Sequence, residues 1–131
     1  MSALPEPTKR GLLLFAHGAR DPGWAAPFEA VASQLRGLRP DAEVRLAFLE
    51  FMSPTLPEAA ADMVAAGCAQ VDVVPLFLGA GGHVRKDVPQ LMAQLRTAHP
   101  TIGFALHPAI GEHDAVIAAM ATAAASLTQQ P

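Results

Sequence analysis

Two rhythms of apolar residues alternate along this chain. The run at 11–16 (Gly11, Leu12, Leu13, Leu14, Phe15, Ala16) is short and unbroken, as in a strand covered on both faces. It gives way to Phe28, Val31, Ala32 and Leu35, at i, i+3, i+4 and i+7, which share one face of a helix that Pro40 ends. A second strand is predicted at 43–49. The next helix opens at Thr55, with Glu58 three residues on and Pro57 in the first turn. That is a capping-box spacing with proline where a missing N–H costs nothing. It runs through alanines and Met63 to Gly67, a C-cap residue. A third apolar run at 71–78 predicts a buried strand, with an irregularity at Pro75, which cannot donate to the ladder. Val88, Leu91, Met92 and Leu95 repeat the helical spacing, and His99-Pro100 closes it. A strand at 102–106 and a helix using Val116, Ile117, Met120 and Leu127 complete the pattern.

Four strand–helix units in succession imply a parallel sheet with right-handed crossovers. The expected fold is α/β: a single-domain, three-layer sandwich whose four-stranded parallel sheet, in the flavodoxin-like order 2-1-3-4, is flanked by helices. Residues 1–10 read as a flexible lead, 11–127 as the domain and 128–131 as a frayed tail.

Composition narrows the picture. The 131 residues suit one domain, and 51% apolar content supports a packed core rather than disorder. A net charge of −3 argues against non-specific nucleic-acid binding. The single cysteine, Cys68, excludes an internal disulfide and fits a small apolar filler in a reducing, cytoplasmic setting. No apolar run approaches the ~20 residues that span a bilayer.

The candidate chemistry lies at strand ends. His17, Glu50 and His83 each fall just past the carboxyl end of a predicted strand, the edge where open α/β sheets bind ligands. In the order 2-1-3-4 these strands are adjacent, ~4.8 Å apart, so the three side chains can converge. Two imidazoles and a carboxylate suit a first-row transition metal. Each residue also has a plainer reading: His17 as a strand end satisfied by backbone, Glu50 as an acid favourable at a helix N-terminus, and His83 as part of a flexible connector. Gly18 allows a sharp turn beside His17, and Arg20 offers donors for a carboxylate. Gly79, Gly81 and Gly82 make the third loop, 79–87, permissive, and Arg85 and Lys86 add positive charge to it; the Gly-Lys-Ser/Thr ending of a phosphate-binding loop is absent. His107, after the fourth strand, is a spare ligand at the same edge. His99 lies at the opposite edge, and His113 starts the last helix. Trp24, Phe51 and Met52 are either core residues or the apolar lining of a cleft.

These segments occur in an order that resembles a known family: His17-Gly18-Ala19-Arg20-Asp21, then Ala47-Phe48-Leu49-Glu50 with Pro54-Thr55-Leu56. Next come 74–87, ending Gly81-Gly82-His83-Val84-Arg85-Lys86-Asp87, and Pro108-Ala109-Ile110-Gly111. Together they resemble the short CbiX-type sirohydrochlorin chelatases, single-domain members of the class II chelatases, over 11–127. The resemblance implies insertion of Co²⁺ into sirohydrochlorin on the route to cobalamin, with Fe²⁺ (for sirohaem) or Ni²⁺ in some relatives. The metal is a substrate, with no organic cofactor. It maps the two metal-site histidines onto His17 and His83 and the acid onto Glu50. It implies a homodimer of facing copies. Arg20, Arg85 and Lys86, with Gly81 and Gly82, are the expected contacts to a carboxylate-rich macrocycle. Ala19 departs from the serine that the family often has, which removes a hydroxyl beside His17.

Two other classes use the same residues. A metal-activated water would make the protein a hydrolase, and binding without turnover would make it a metal or tetrapyrrole carrier. The His-Gly pair is shared with histidine phosphatases, but those need an arginine directly before the histidine, where this chain has Ala16.

Overall fold

The strands form where the apolar runs are densest. The computed structural model describes residues 9–79 and 81–129, and of His83 the backbone alone; the expected lead at 1–8 and the end of the tail at 130–131 lie outside the described residues. The strands β1 (Lys9–Ala16), β2 (Glu43–Phe48), β3 (Cys68–Pro75) and β4 (Gly103–Leu106) make one sheet, all pairs parallel, in the order β2-β1-β3-β4. The helices α1 (Ala26–Leu38), α2 (Leu56–Ala65), α3 (Gly82–Ala98) and α4 (Asp114–Leu127) follow the strands in turn. The α/β architecture and the 2-1-3-4 order are those expected.

Alternation along β1 separates two cores. Leu13 and Phe15, fully buried, point to the layer formed by α2 and α3 and meet Leu56, Met63, Met92 and Leu95. Leu12 and Leu14 point the other way, to Ala32 and Leu35 of α1. The start of α2 is fixed by the capping box: Thr55 Oγ1 accepts from the Glu58 amide at 3.3 Å, and the Thr55 amide donates to Glu58 Oε1 at 2.8 Å. Donation from the Thr55 backbone holds the Glu58 carboxyl below the usual carboxylate range.

Four features differ from expectation. First, β1 begins two residues early, at Lys9, because both residues find acids: Lys9 pairs with Glu43 at 3.0 Å and Arg10 with Asp72 at 3.1 Å. Second, β3 spans Cys68–Pro75 rather than 71–78. Gly67, at φ 97°, turns the chain from α2 straight into the sheet, so Cys68 is a buried strand residue. Pro75 ends the strand instead of interrupting it, and Leu78 beyond it is exposed. The β1–β3 register shift lies at Lys9/Arg10, away from the proline. Third, the stretch 82–87, expected as loop, is the first turns of α3.

The fourth difference is α4. Val116, Ile117, Met120 and Leu127 have the spacing of a packed face, yet no residue of α4 is buried, and the helix meets the body mainly through the short 3₁₀ turn Ile110–Glu112. Periodicity identifies an apolar face but not what covers it. Among the described residues two helices cover the other side of the sheet and one covers the α1 side. A groove of about 550 Å³ remains there, walled by Leu12, Leu14, Val31, Leu35, Val74 and Leu76.

Candidate functional site

The ladder between β1 and β2 continues past the strand ends and draws two loops together. The Leu49 amide donates to the Ala16 carbonyl at 2.9 Å, and the Glu50 amide donates to the His17 carbonyl at 3.1 Å. Gly18 makes this approach possible. Its φ of 100° disfavours any L side chain, and a Cβ there would overlap the Glu50 carbonyl oxygen. The result is a pair: His17 Nε2 lies 3.1 Å from Glu50 Oε1. The two side chains are 42% and 41% exposed, so solvent or a ligand reaches both.

Packing orients the imidazole. The His17 ring meets Phe77 edge-on, with centroids 6.0 Å apart, and Phe77 in turn packs on Phe15 at 5.8 Å. An aromatic column thus runs from the core to the site. Beside His17 opens a cavity of about 520 Å³, walled by Trp24, Phe28, Phe77, Leu78 and Val84, with Gly79 and Gly81 at its edge. Trp24 belongs to a 3₁₀ turn (Pro22–Ala25) whose start Asp21 caps through the Gly23 amide, and it stacks on Phe28 at 4.5 Å.

The other expected residues lie around this pair. His83 is the second residue of α3, at the exit of β3, which is paired with β1; its side chain lies outside what is described. Arg85 and Lys86 are exposed near the start of α3, whose first turn carries no acid, and Asp87 follows them. With the positive end of the helix dipole they make a cationic pole. A Cβ at Gly81 or Gly82 would meet nothing within 4 Å, so the chain itself does not demand glycine there. Arg20 is exposed and rests its guanidinium over the Phe51 ring, 5.0 Å from the centroid. Gly111, in the last motif, has a packing role: its amide donates to the Phe77 carbonyl at 2.9 Å, and a Cβ would strike the backbone of Leu78.

His107, expected as a spare ligand at the same edge, is engaged elsewhere. Its Nε2 lies 2.9 Å from Asp72 Oδ1, while Arg10 donates to Asp72 Oδ2 at 3.1 Å. Asp72 shares the α1 side of the sheet with the groove, whereas His17 meets Phe77 of the opposite core. Sequence reasoning passed over Asp72, although a lone carboxylate inside an apolar strand signals a partner. Cys68 offers no thiolate, because burial pushes its thiol up. Among the described residues no set of three His, Cys, Asp or Glu side chains is grouped to hold a metal. His17 and Glu50 are a pair.

Chemically, a nitrogen and a carboxylate oxygen this close share a proton or hold a cation between them. Two ligands bound to one ion by bonds of about 2.1 Å lie about 3.0 Å apart at octahedral angles and about 3.4 Å apart at tetrahedral ones, and the observed 3.1 Å falls in that range.

The chain is similar in sequence and fold to known proteins. A sirohydrochlorin cobaltochelatase of Methanococcoides burtonii is 32% identical over 84 residues, 64% of each chain. That of Saccharolobus solfataricus is 38% identical over 85 residues, covering 63% of this chain and 62% of the relative. The matched stretch therefore spans just under two thirds of these relatives. The crystal structure of a putative cobalamin (vitamin B12) biosynthesis CbiX protein from Marinobacter aquaeolei superposes with a TM-score of 0.78 at 30% identity, over 92% of this chain and 99% of that one. The family model for CbiX matches residues 11–127. With nearly the whole domain matched in sequence and in fold, the chain belongs to the CbiX family.

Proposed function

We propose that this protein is a sirohydrochlorin chelatase inserting Co²⁺, with Fe²⁺ or Ni²⁺ as the other metals its ligands suit. The observation that carries the reading is the His17–Glu50 pair: an imidazole nitrogen and a carboxylate oxygen at ligand spacing, open to solvent, on the binding edge of the sheet. The cobaltochelatase relatives support the choice of substrate.

In this reading His17 and His83 bind the incoming metal and Glu50 completes the site. Insertion breaks two pyrrole N–H bonds and forms metal–nitrogen bonds, releasing two protons per metal. His17 Nε2, once the ion has left it, takes a proton, and Glu50 passes protons to solvent through its exposed face. An imidazole–carboxylate set without thiolate binds borderline divalent ions and gives them up again. Arg20, Arg85 and Lys86 hold the carboxylates of the macrocycle, and Gly81 and Gly82 leave room for it to approach.

Mixing the protein with Co²⁺ and sirohydrochlorin under anaerobic conditions tests the reading by visible absorption. Many equivalents of metallated product per protein are expected. A shift that stops at one equivalent means a carrier, and no shift contradicts the proposal.

The working unit is a homodimer. Among the described residues two surfaces are left uncovered: the exposed apolar face of α4 and the groove beside α1. Asp114 is the one charged residue of α4, so its face suits an apolar groove. Reciprocal docking of α4 in the groove of a second copy covers both surfaces twice under two-fold symmetry. Light scattering is expected to give a dimer for the wild type and a monomer for both Ile117→Asp and Leu35→Arg. A monomeric wild type, or a dimer untouched by both changes, contradicts this arrangement.

A further inference from the structure

Phe51 holds a conformation that its residue type resists. It is the one non-glycine residue with positive φ among the described residues, at φ 66°, and it is 59% exposed. A bulky side chain gains nothing locally from the left-handed region, and an exposed phenyl gains little from burial. The conformation does have a geometric consequence. Phe51 directly follows Glu50, whose amide is tied to the His17 carbonyl, and the turn sets its ring beneath the Arg20 guanidinium at 5.0 Å. Arg20 forms no ion pair or hydrogen bond with any described residue. A cation held by a ring face, with its donors unspent, is preset for an anion from outside the chain.

We infer that Phe51 is a positioning residue: its strained turn, one residue past Glu50, holds the Arg20 fork in place, three residues past His17, to receive a carboxylate arm of the macrocycle. This rests on the chelatase reading above. Holding the guanidinium in place lowers the entropy lost when the carboxylate docks. Phe51 itself touches no reacting atom, so it affects binding of the macrocycle and not the proton and metal transfers.

The test combines Kd for metal-free sirohydrochlorin with KM and kcat for Co²⁺ insertion. Phe51→Leu keeps bulk and backbone strain but removes the ring face, and is expected to raise Kd and KM about two- to fivefold, the effect of an exposed cation–π contact, with kcat unchanged. Phe51→Trp is expected to restore wild-type binding. Arg20→Ala is expected to raise both constants about tenfold or more, and adding Phe51→Leu to it is expected to change nothing further. Phe51→Gly, which relaxes the turn, is expected to weaken binding as Phe51→Leu does, without lowering Tm. Unchanged binding in Phe51→Leu overturns the inference. So does an equal loss in the presence and absence of Arg20, or a fall confined to kcat. A wild type that neither binds nor metallates sirohydrochlorin overturns the chelatase reading itself, and this inference with it; a fully active wild type with indifferent Phe51 variants overturns the inference alone.

Discussion

Replacing His17 by alanine is expected to lower the rate of cobalt insertion at least about 100-fold, the low end of what a positioned acid–base group contributes. The site loses a metal ligand and a proton acceptor in one change. The fold is expected to survive. The ring is 42% exposed, and its packing partner Phe77 stays anchored on Phe15, so little apolar area returns to water. Tm should therefore move by a few degrees at most. His83→Ala is expected to lower the rate in the same way, since the proposed site uses both imidazoles. Glu50→Gln keeps shape and hydrogen bonding but removes the charge, and is expected to fall between these variants and the wild type. Steady-state insertion rates beside thermal melts check all three. A rate near wild type in either histidine variant would remove that residue from the site.

Gly18→Ala is expected to damage stability and activity together. The added methyl has no free volume, because it would overlap the Glu50 carbonyl oxygen, and it sits at φ 100°, which alanine disfavours. The clash is with backbone, so no side-chain rotation relieves it. Loop 17–21 has to pull away from Glu50, breaking the amide–carbonyl bond between Glu50 and His17 and with it the pair that bond aligns. A loss of about 2–4 kcal/mol is expected from strain and the lost contacts, along with most of the insertion activity. Chemical denaturation and the same rate assay measure both. A variant as stable and active as the wild type would show that the close approach is not needed.

The sheet was legible in the sequence because its elements follow from short-range rules. The run 11–16, the capping box at Thr55 and Glu58, and the alternation of strand with helix each depend on neighbours a few residues apart, and β1, α2 and the strand order appear where those rules put them. His17 and Glu50 could be paired from the order alone, since strand ends that neighbour in the sheet carry their next residues with them. What failed depends on partners distant in sequence. The apolar run past Pro75 looked like more strand, but Leu76 lines the groove and the cavity and Leu78 the cavity. His107 has the right edge but is captured by Asp72, 35 residues earlier on the adjacent strand. The α4 pattern is that of a buried helix, and only the fold shows that its own body does not bury it. The strain at Phe51 has no sequence signal, since nothing marks a phenylalanine for the left-handed region.

In the proposed chelatase one metal ion reaches His17, Glu50 and His83 together. Diffraction from crystals of the protein grown with Co²⁺, recorded at the cobalt absorption edge, tests it most directly. One anomalous peak is expected about 2.1 Å from His17 Nε2 and within bonding distance of His83 and Glu50. A peak bound elsewhere, with the two imidazoles turned to separate regions, would contradict it.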